Sequence, residues 1–472
     1  MPEQSNTDLC FMPATELVAR YAAKTLSPVE VTRAVFDRIR ALNPKLNAYC
    51  LLDEEGALAA ARASESRWMA GEPAGPVDGV PASIKDLVLA KGWPTLRGSK
   101  TVDPAGPWND DAPATAHLRE SGAVLLGKTC TPEYGWKGVT DSALTGITRN
   151  PWNLARTPGG SSGGASAQLA AGLGQLAVGT DGGGSIRIPC AFAGVSGIKA
   201  QFGRVPAWPL SPMGTVAHIG PMARSIADVA LMLNVLAQPD IRDWHALPWD
   251  GVDWTMSLGY GLEGLRIAYS PRLGYIKYVH PEVEARVAEA VKALADLGAR
   301  VEQVDPGFPD ARDTFWVHWT GGAFNALRKL PPEKFALLEP ALQKAFEVGS
   351  RHTLAAYFDA VAGRMAMGER MRRFHLDWDL LATPALAVPA FEVGRIVPEE
   401  PAGPEDDWTW WTPFSYPFNL TQQPALSVPC GFTKDGLPVG LQLVAPPYRE
   451  DLALRAAHAF QQSTDHLRRP GL

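Results

Sequence analysis

Hydrophobic and polar positions along the chain fall into two kinds of pattern. Helical spacing of apolar residues over 14–23 and 28–42 predicts two helices. An alanine-rich helix is predicted at 55–70, with further helices at 112–121, 225–236, 281–297 and 451–461. Residues 165–172 read as the first turns of another. Short apolar runs predict buried strands at 48–52, 80–85, 123–127, 175–178, 265–269, 301–304, 426–428 and 439–443, and a strand and turn at 380–389. Ser27, followed by Pro28, is a predicted N-cap with proline at the first helical position. Ser225 is a second, with Asp228 at the capping-box position. His280 reads as a helix-entry residue, and Gly298 closes that helix. Residues 1–12 form a polar leader, 239–262 a tryptophan- and proline-rich connecting loop, and 310–380 a mainly helical stretch. Strand and helix alternate, with a βαβ-like unit over 265–304, which predicts a βα-built mixed sheet.

One stretch does not follow this alternation. Residues 157–189 carry two glycine-packed serine clusters, Gly159-Gly160-Ser161-Ser162-Gly163-Gly164 and Gly182-Gly183-Gly184-Ser185. Glycine at this density means close backbone approach, or angles closed to other residues. Glycines before a serine can turn several N–H groups toward one point. Such a serine is placed for acyl transfer, its oxygen attacking a carbonyl while the amides hold the oxyanion. A flexible glycine loop is the alternative.

A base must accompany such a serine. None of the nine histidines sits in an obvious catalytic setting, and no GxSxG elbow surrounds Ser185. Lys85, at the end of the 80–85 strand, is the stronger candidate, because a buried lysine loses its charge and can act as a base. The competing reading pairs Lys85 with Asp86, or another acid, at the surface.

Taken together, Lys85, Ser161 and Ser185 resemble the Ser–cisSer–Lys triad of the amidase signature family. Ser185 lies 24 positions after Ser161, as that family's motif requires. The resemblance extends over 17–48, 78–86, 122–128, 150–152, 194–199, 220–228, 419–431 and 436–442. It departs at Lys199-Ala200, where the family has Lys-Pro, and at Gly182, where a larger residue is usual. The second departure is expected to widen the oxyanion nest or its mouth.

The resemblance implies an α/β fold with a large, mixed, mostly parallel twisted sheet flanked by helices on both faces. It implies one domain over 1–472, with a core signature at about 78–230 and a variable, substrate-covering region at about 239–415. Ser185 would attack the amide carbonyl. Ser161, entered through a non-proline cis peptide, would relay a proton between Ser185 and neutral Lys85. Backbone N–H groups of Gly182, Gly183, Gly184 and Ser185 would form the oxyanion hole. Ser162 and Asp181 are assigned to loop support. Arg187, close in sequence to Ser185 and Asp181, is expected to brace the loop, the alternative being a ligand for a substrate carboxylate. No metal or organic cofactor is called for.

Aromatic residues bear on the substrate. Trp408, Trp410 and Trp411 crowd four positions, and Trp316 and Trp319 lie on a helical stripe with Phe315 and Phe324. The stripe reads as core or as active-site cover, and the 408–414 stretch as pocket rim or as a loop packed on the sheet. An aromatic pocket favours apolar or aryl amides, anilides or carbamates. The alternative is a glutaminase-type subunit of a tRNA-dependent amidotransferase, passing ammonia to a partner. Net charge is −6 without long runs, so no nucleic-acid or anionic-membrane footprint is present. Five widely spaced cysteines suggest reduced, mostly buried thiols. With no secretory signal and no apolar run of about 18 residues, a cytoplasmic enzyme is expected, possessing as partner a small-molecule substrate and, by family analogy, a second copy of itself.

Overall fold

The computed structural model describes residues 6–400 and 403–472. Its strands, in chain order, are β1 Tyr49–Leu52, β2 Pro81–Lys85, β3 Val124–Thr129, β4 Asp141–Ser142, β5 Gly146–Ile147, β6 Leu176–Asp181, β7 Ser196–Lys199, β8 His218–Ala223, β9 Arg266–Tyr269, β10 Arg300–Gln303, β11 Leu380–Pro384, β12 Ala425–Phe432 and β13 Pro438–Val444. Eleven form one sheet in the order β1-β3-β2-β6-β8-β7-β12-β13-β11-β9-β10, and β4 and β5 pair separately.

The sheet is mixed. Parallel ladders occur in two blocks, β3-β2-β6 and β11-β9-β10. The other six ladders are antiparallel. The parallel character implied by the resemblance is thus carried by these two blocks. Each contains a helical crossover, which parallel pairing requires: Pro113–Glu120 between β2 and β3, and Pro281–Asp296 between β9 and β10. β12 and β13 need only the short turn between them. Strands β2, β3, β7, β11 and β13 are buried at every position, so both of their faces are covered.

Local signals account for several element ends. Ser27 Oγ accepts from Val29 N, and the Glu30 carboxylate accepts from Ser27 N, starting the helix Pro28–Leu46. That helix runs a turn beyond the expected end and stops at Asn47, which adopts the left-handed conformation (φ 52°). Asp53 caps Glu54–Ala70 by accepting from Gly56 N. Ser225 caps Ile226–Leu236, but only half of the expected box forms. The Asp228 carboxylate instead accepts from Thr15 N and Oγ1, tying the chain's N-terminal part to this helix.

Three expectations change. The polar leader contains a helix, Asn6–Phe11, because Leu9, Cys10 and Phe11 are buried; residues 1–5 lie outside the described residues. The helix expected at 165 starts at Gly163. Residues 186–189, where no element is predicted, enter the short helix Arg187–Ala193, whose internal Pro189 disguised it. The five cysteines are free, four of them buried. Among the described residues no helix is long and apolar enough to cross a membrane.

Candidate active site

The site forms where β2 and β6 end side by side. Their parallel register pairs Ile84 with Val178, so Lys85 lies level with Gly179, one residue before Thr180. Open α/β sheets characteristically place ligands beyond the carboxyl ends of such strands. The first serine cluster folds back against this edge through a cis peptide between Gly160 and Ser161. Glycine is required at 160 because a Cβ there would lie 2.5 Å from the Val139 carbonyl oxygen.

Lys85 is fully buried and makes no ion pair with Asp86. Its Nζ lies 2.7 Å from Ser161 Oγ, 2.9 Å from Ser162 Oγ and 2.8 Å from Thr180 Oγ1. Burial lowers its pKa well below the ordinary lysine value, opposed only in part by the Asp181 carboxylate. Hydrogen-bond directions follow from the partners. Ser162 Oγ donates to Thr180 O (3.2 Å) and accepts from Thr180 N (3.3 Å), so it faces the amine as an acceptor. With the amine neutral, its two N–H groups satisfy Ser162 and Thr180. Its lone pair is left to accept from the Ser161 hydroxyl.

Ser185 opens on the same cavity as Ser161 and Thr180. Its hydroxyl makes no hydrogen bond to another described residue. The two clusters are joined through the backbone, Ser162 N donating to Ser185 O at 3.2 Å.

Asp181 organises the nest before Ser185. Its carboxylate accepts from Gly184 N (2.8 Å) and Ile186 N (3.2 Å). This corrects the expected set of oxyanion donors: the Gly184 N–H is taken by Asp181, leaving those of Gly182, Gly183 and Ser185. Burial alone would raise the Asp181 carboxyl. The Arg187 guanidinium and the Asn419 amide overcome that and hold it well below the usual carboxylate range. Arg187 itself donates to Asp181 Oδ2 (3.0 Å) and Oδ1 (2.9 Å), Ser415 O (2.8 Å), Gln442 Oε1 (2.8 Å) and Asn419 Oδ1 (2.7 Å). A guanidinium has five N–H groups, and all five are used, so none remains for a substrate carboxylate.

Aromatic rings press on the nest from outside. A Cβ at Gly183 would lie 2.6 Å from both Phe315 Cζ and Trp408 Cη2. One at Gly182 would lie 2.8 Å from Trp319 Cζ3, so the room left by the missing side chain is filled by this ring rather than opened as a wider mouth.

The cavity in front of Ser185 measures about 170 Å³. Its walls are mainly apolar, with Leu87, Leu89, Trp208, Leu210, Met213 and Trp319 prominent. Of the five tryptophans expected to bind substrate, only Trp319 lines it. Trp408 is buried against Phe315 and Trp319. Trp411 stacks on Phe192 at 5.5 Å. Trp410 is exposed beneath the Arg312 guanidinium, and Trp316 packs against the core. The physical cause of this correction is that a run of rings signals burial without direction. Much of the cavity wall comes instead from residues 207–219, where a single 3-10 turn, Gly214–Val216, is the one regular element before β8 begins at His218.

Comparison with known proteins bears on this geometry. The family model for Amidase matches residues 30–454. The chain belongs to the amidase signature family. It is 38% identical to an acylamidase of Rhodococcus erythropolis over 467 residues, covering 98% of this chain and 96% of the relative. It is 36% identical to a glutamyl-tRNA(Gln) amidotransferase subunit of Chloroflexus aggregans, covering 99% of each. Among solved structures it superposes on a bacterial aryl acylamidase of the same family with a TM-score of 0.89, at 32% identity and 96% coverage of each chain. Like other amidase signature proteins it is built for hydrolysis of an amide C–N bond.

Four residues at the site were not anticipated individually. Thr180 contacts Lys85, and Ser415, Asn419 and Gln442 complete the Arg187 shell. Asn419 and Gln442 fall within the C-terminal blocks that resembled the family, which was the available signal. For Thr180, the penultimate residue of β6, the signal was local: a polar side chain immediately before the second serine cluster.

Proposed function

We propose that this amidase hydrolyses apolar or aryl amides, anilides or carbamates through an acyl-enzyme on Ser185. The observation that carries the reading is the buried Lys85 amine, 2.7 Å from Ser161 Oγ, beside a mainly apolar cavity onto which Ser185 also opens.

Lys85 takes the Ser161 proton, Ser161 takes that of Ser185, and Ser185 Oγ attacks the carbonyl. N–H groups of Gly182, Gly183 and Ser185 would hold the oxyanion; losing one such donor typically costs about 3–4 kcal/mol. The proton held at Lys85 returns through Ser161 to the leaving nitrogen, and water then releases the acid.

A glutaminase role is supported by the 36% identity to an amidotransferase subunit. Glutamine would bring an ammonium group, yet the described cavity lining holds no aspartate or glutamate to receive it. This favours the apolar amide.

A hydrolysis panel of anilides, aryl carbamates, esters and glutamine tests the choice. Nitroanilides and aryl carbamates should be turned over faster than glutamine, and Ser185→Ala should remain folded and inactive. Glutaminase activity that rises on adding amidotransferase partner subunits would reverse the assignment.

A further inference from the structure

Two arginines stand near the nucleophile, and they differ in one respect. Arg187 spends every N–H on the protein. Arg97, half-buried in the wall of the same cavity, has no hydrogen-bond, ion-pair or ring partner for its guanidinium among the described residues. The surrounding backbone is nevertheless held firmly. The Asp86 carboxylate accepts from Leu96 N and Gly98 N, on either side of Arg97, and Arg97 O accepts from Tyr134 N at 2.8 Å. Asp86 directs its charge to Lys128, 3.7 Å away, and so is not the counter-ion of Arg97. Arg97 also adopts the left-handed conformation (φ 57°), as does its cavity neighbour Tyr134 (φ 51°). Non-glycine residues held there cluster at ligand sites.

The described lining contains no aspartate, glutamate or lysine, so Arg97 supplies its one permanent charge. An unneutralised guanidinium in an apolar wall, carried on a firmly held backbone, is complementary to a planar anion, which it can bind through two parallel N–H bonds. We propose that Arg97 determines specificity by pairing with a carboxylate on the substrate, so that the enzyme prefers amides whose acyl or amine part ends in a carboxylate. This rests on the amidase reading above and singles out, among its aryl amides and anilides, those that carry a carboxylate.

Two matched substrate pairs test the proposal. On the acyl side, the nitroanilide of succinic acid is compared with that of butyric acid. On the amine side, p-acetamidobenzoate is compared with p-acetamidotoluene. In the wild type, kcat/KM should favour the carboxylate member of at least one pair by about tenfold or more, as charged hydrogen bonds allow. That ratio should fall toward one in Arg97→Gln and be partly restored in Arg97→Lys. A wild-type ratio near one in both pairs, or an undiminished ratio in Arg97→Gln, overturns it.

A binding arm separates this from failure of the amidase reading. Ser185→Ala protein is titrated calorimetrically with phenylbutyrate and with phenylbutanol. Tighter binding of the carboxylate, lost in Ser185→Ala/Arg97→Gln, supports the proposal even if no amide is hydrolysed. Equal affinities in both proteins contradict it.

Discussion

At the scale of single residues, the chemistry turns on keeping one amine uncharged. Burial drives Lys85 below its ordinary pKa, while the Thr180 and Ser162 hydroxyls stabilise its N–H groups. An acceptor favours the ammonium more than the amine, so removing one lowers the pKa further. Thr180→Val should therefore shift the acid limb of the kcat/KM profile to lower pH and reduce the plateau about tenfold, the size of one lost buried hydrogen bond. A profile with an unmoved acid limb would take Thr180 out of the account. The sign is fixed by the mechanism: the working form is the free amine, so activity is lost as pH falls through the lowered Lys85 pKa.

At the scale of elements, the Asp181–Arg187 pair holds the nest to the short helix Arg187–Ala193 and to the C-terminal strands. Both side chains are fully buried. Arg187→Met would strand the Asp181 charge, and breaking such a pair costs about 3–5 kcal/mol. Denaturant unfolding should show a loss of that order; a loss below about 1 kcal/mol would mean the pair is not a brace. Asp181 has its pKa depressed in the folded state, so its contribution is present above the ordinary aspartate value and fades as pH falls below it. Gly183→Ala tests the outer wall, since the new methyl meets Phe315 and Trp408. It should reduce kcat more than KM, because it displaces oxyanion donors used most in the transition state. The reverse split would place Gly183 in ground-state binding.

At the scale of the whole molecule, the sheet brings together segments far apart in sequence, and this decides what was legible. Element ends written in local chemistry, such as the N-caps at Ser27 and Ser225, could be read directly. The triad positions were legible through the spacing and family resemblance of the two serine clusters. Trp408 and Trp411 were misplaced at the pocket because their burial depends on Phe315 and Phe192, remote partners that no local pattern specifies. Trp408→Ala should accordingly act through stability, by about 3–5 kcal/mol for a buried large-to-small change, and leave the ranking of substrates intact. Trp319→Ala, which alters the cavity wall, should change that ranking. A changed ranking in Trp408→Ala, measured on the same amide panel, would return this ring to the binding site.

The central claim is that neutral Lys85 activates Ser185 through Ser161. Its most direct test is the acylation rate of Ser185 by an activated aryl carbamate across pH, followed by peptide mass after quenching. The wild type should acquire the adduct on Ser185 at a rate rising with pH to a plateau, through one ionisation well below the ordinary lysine value. Lys85→Met should acylate orders of magnitude more slowly without that ionisation. An adduct on another residue, or the same ionisation in both proteins, would contradict the account.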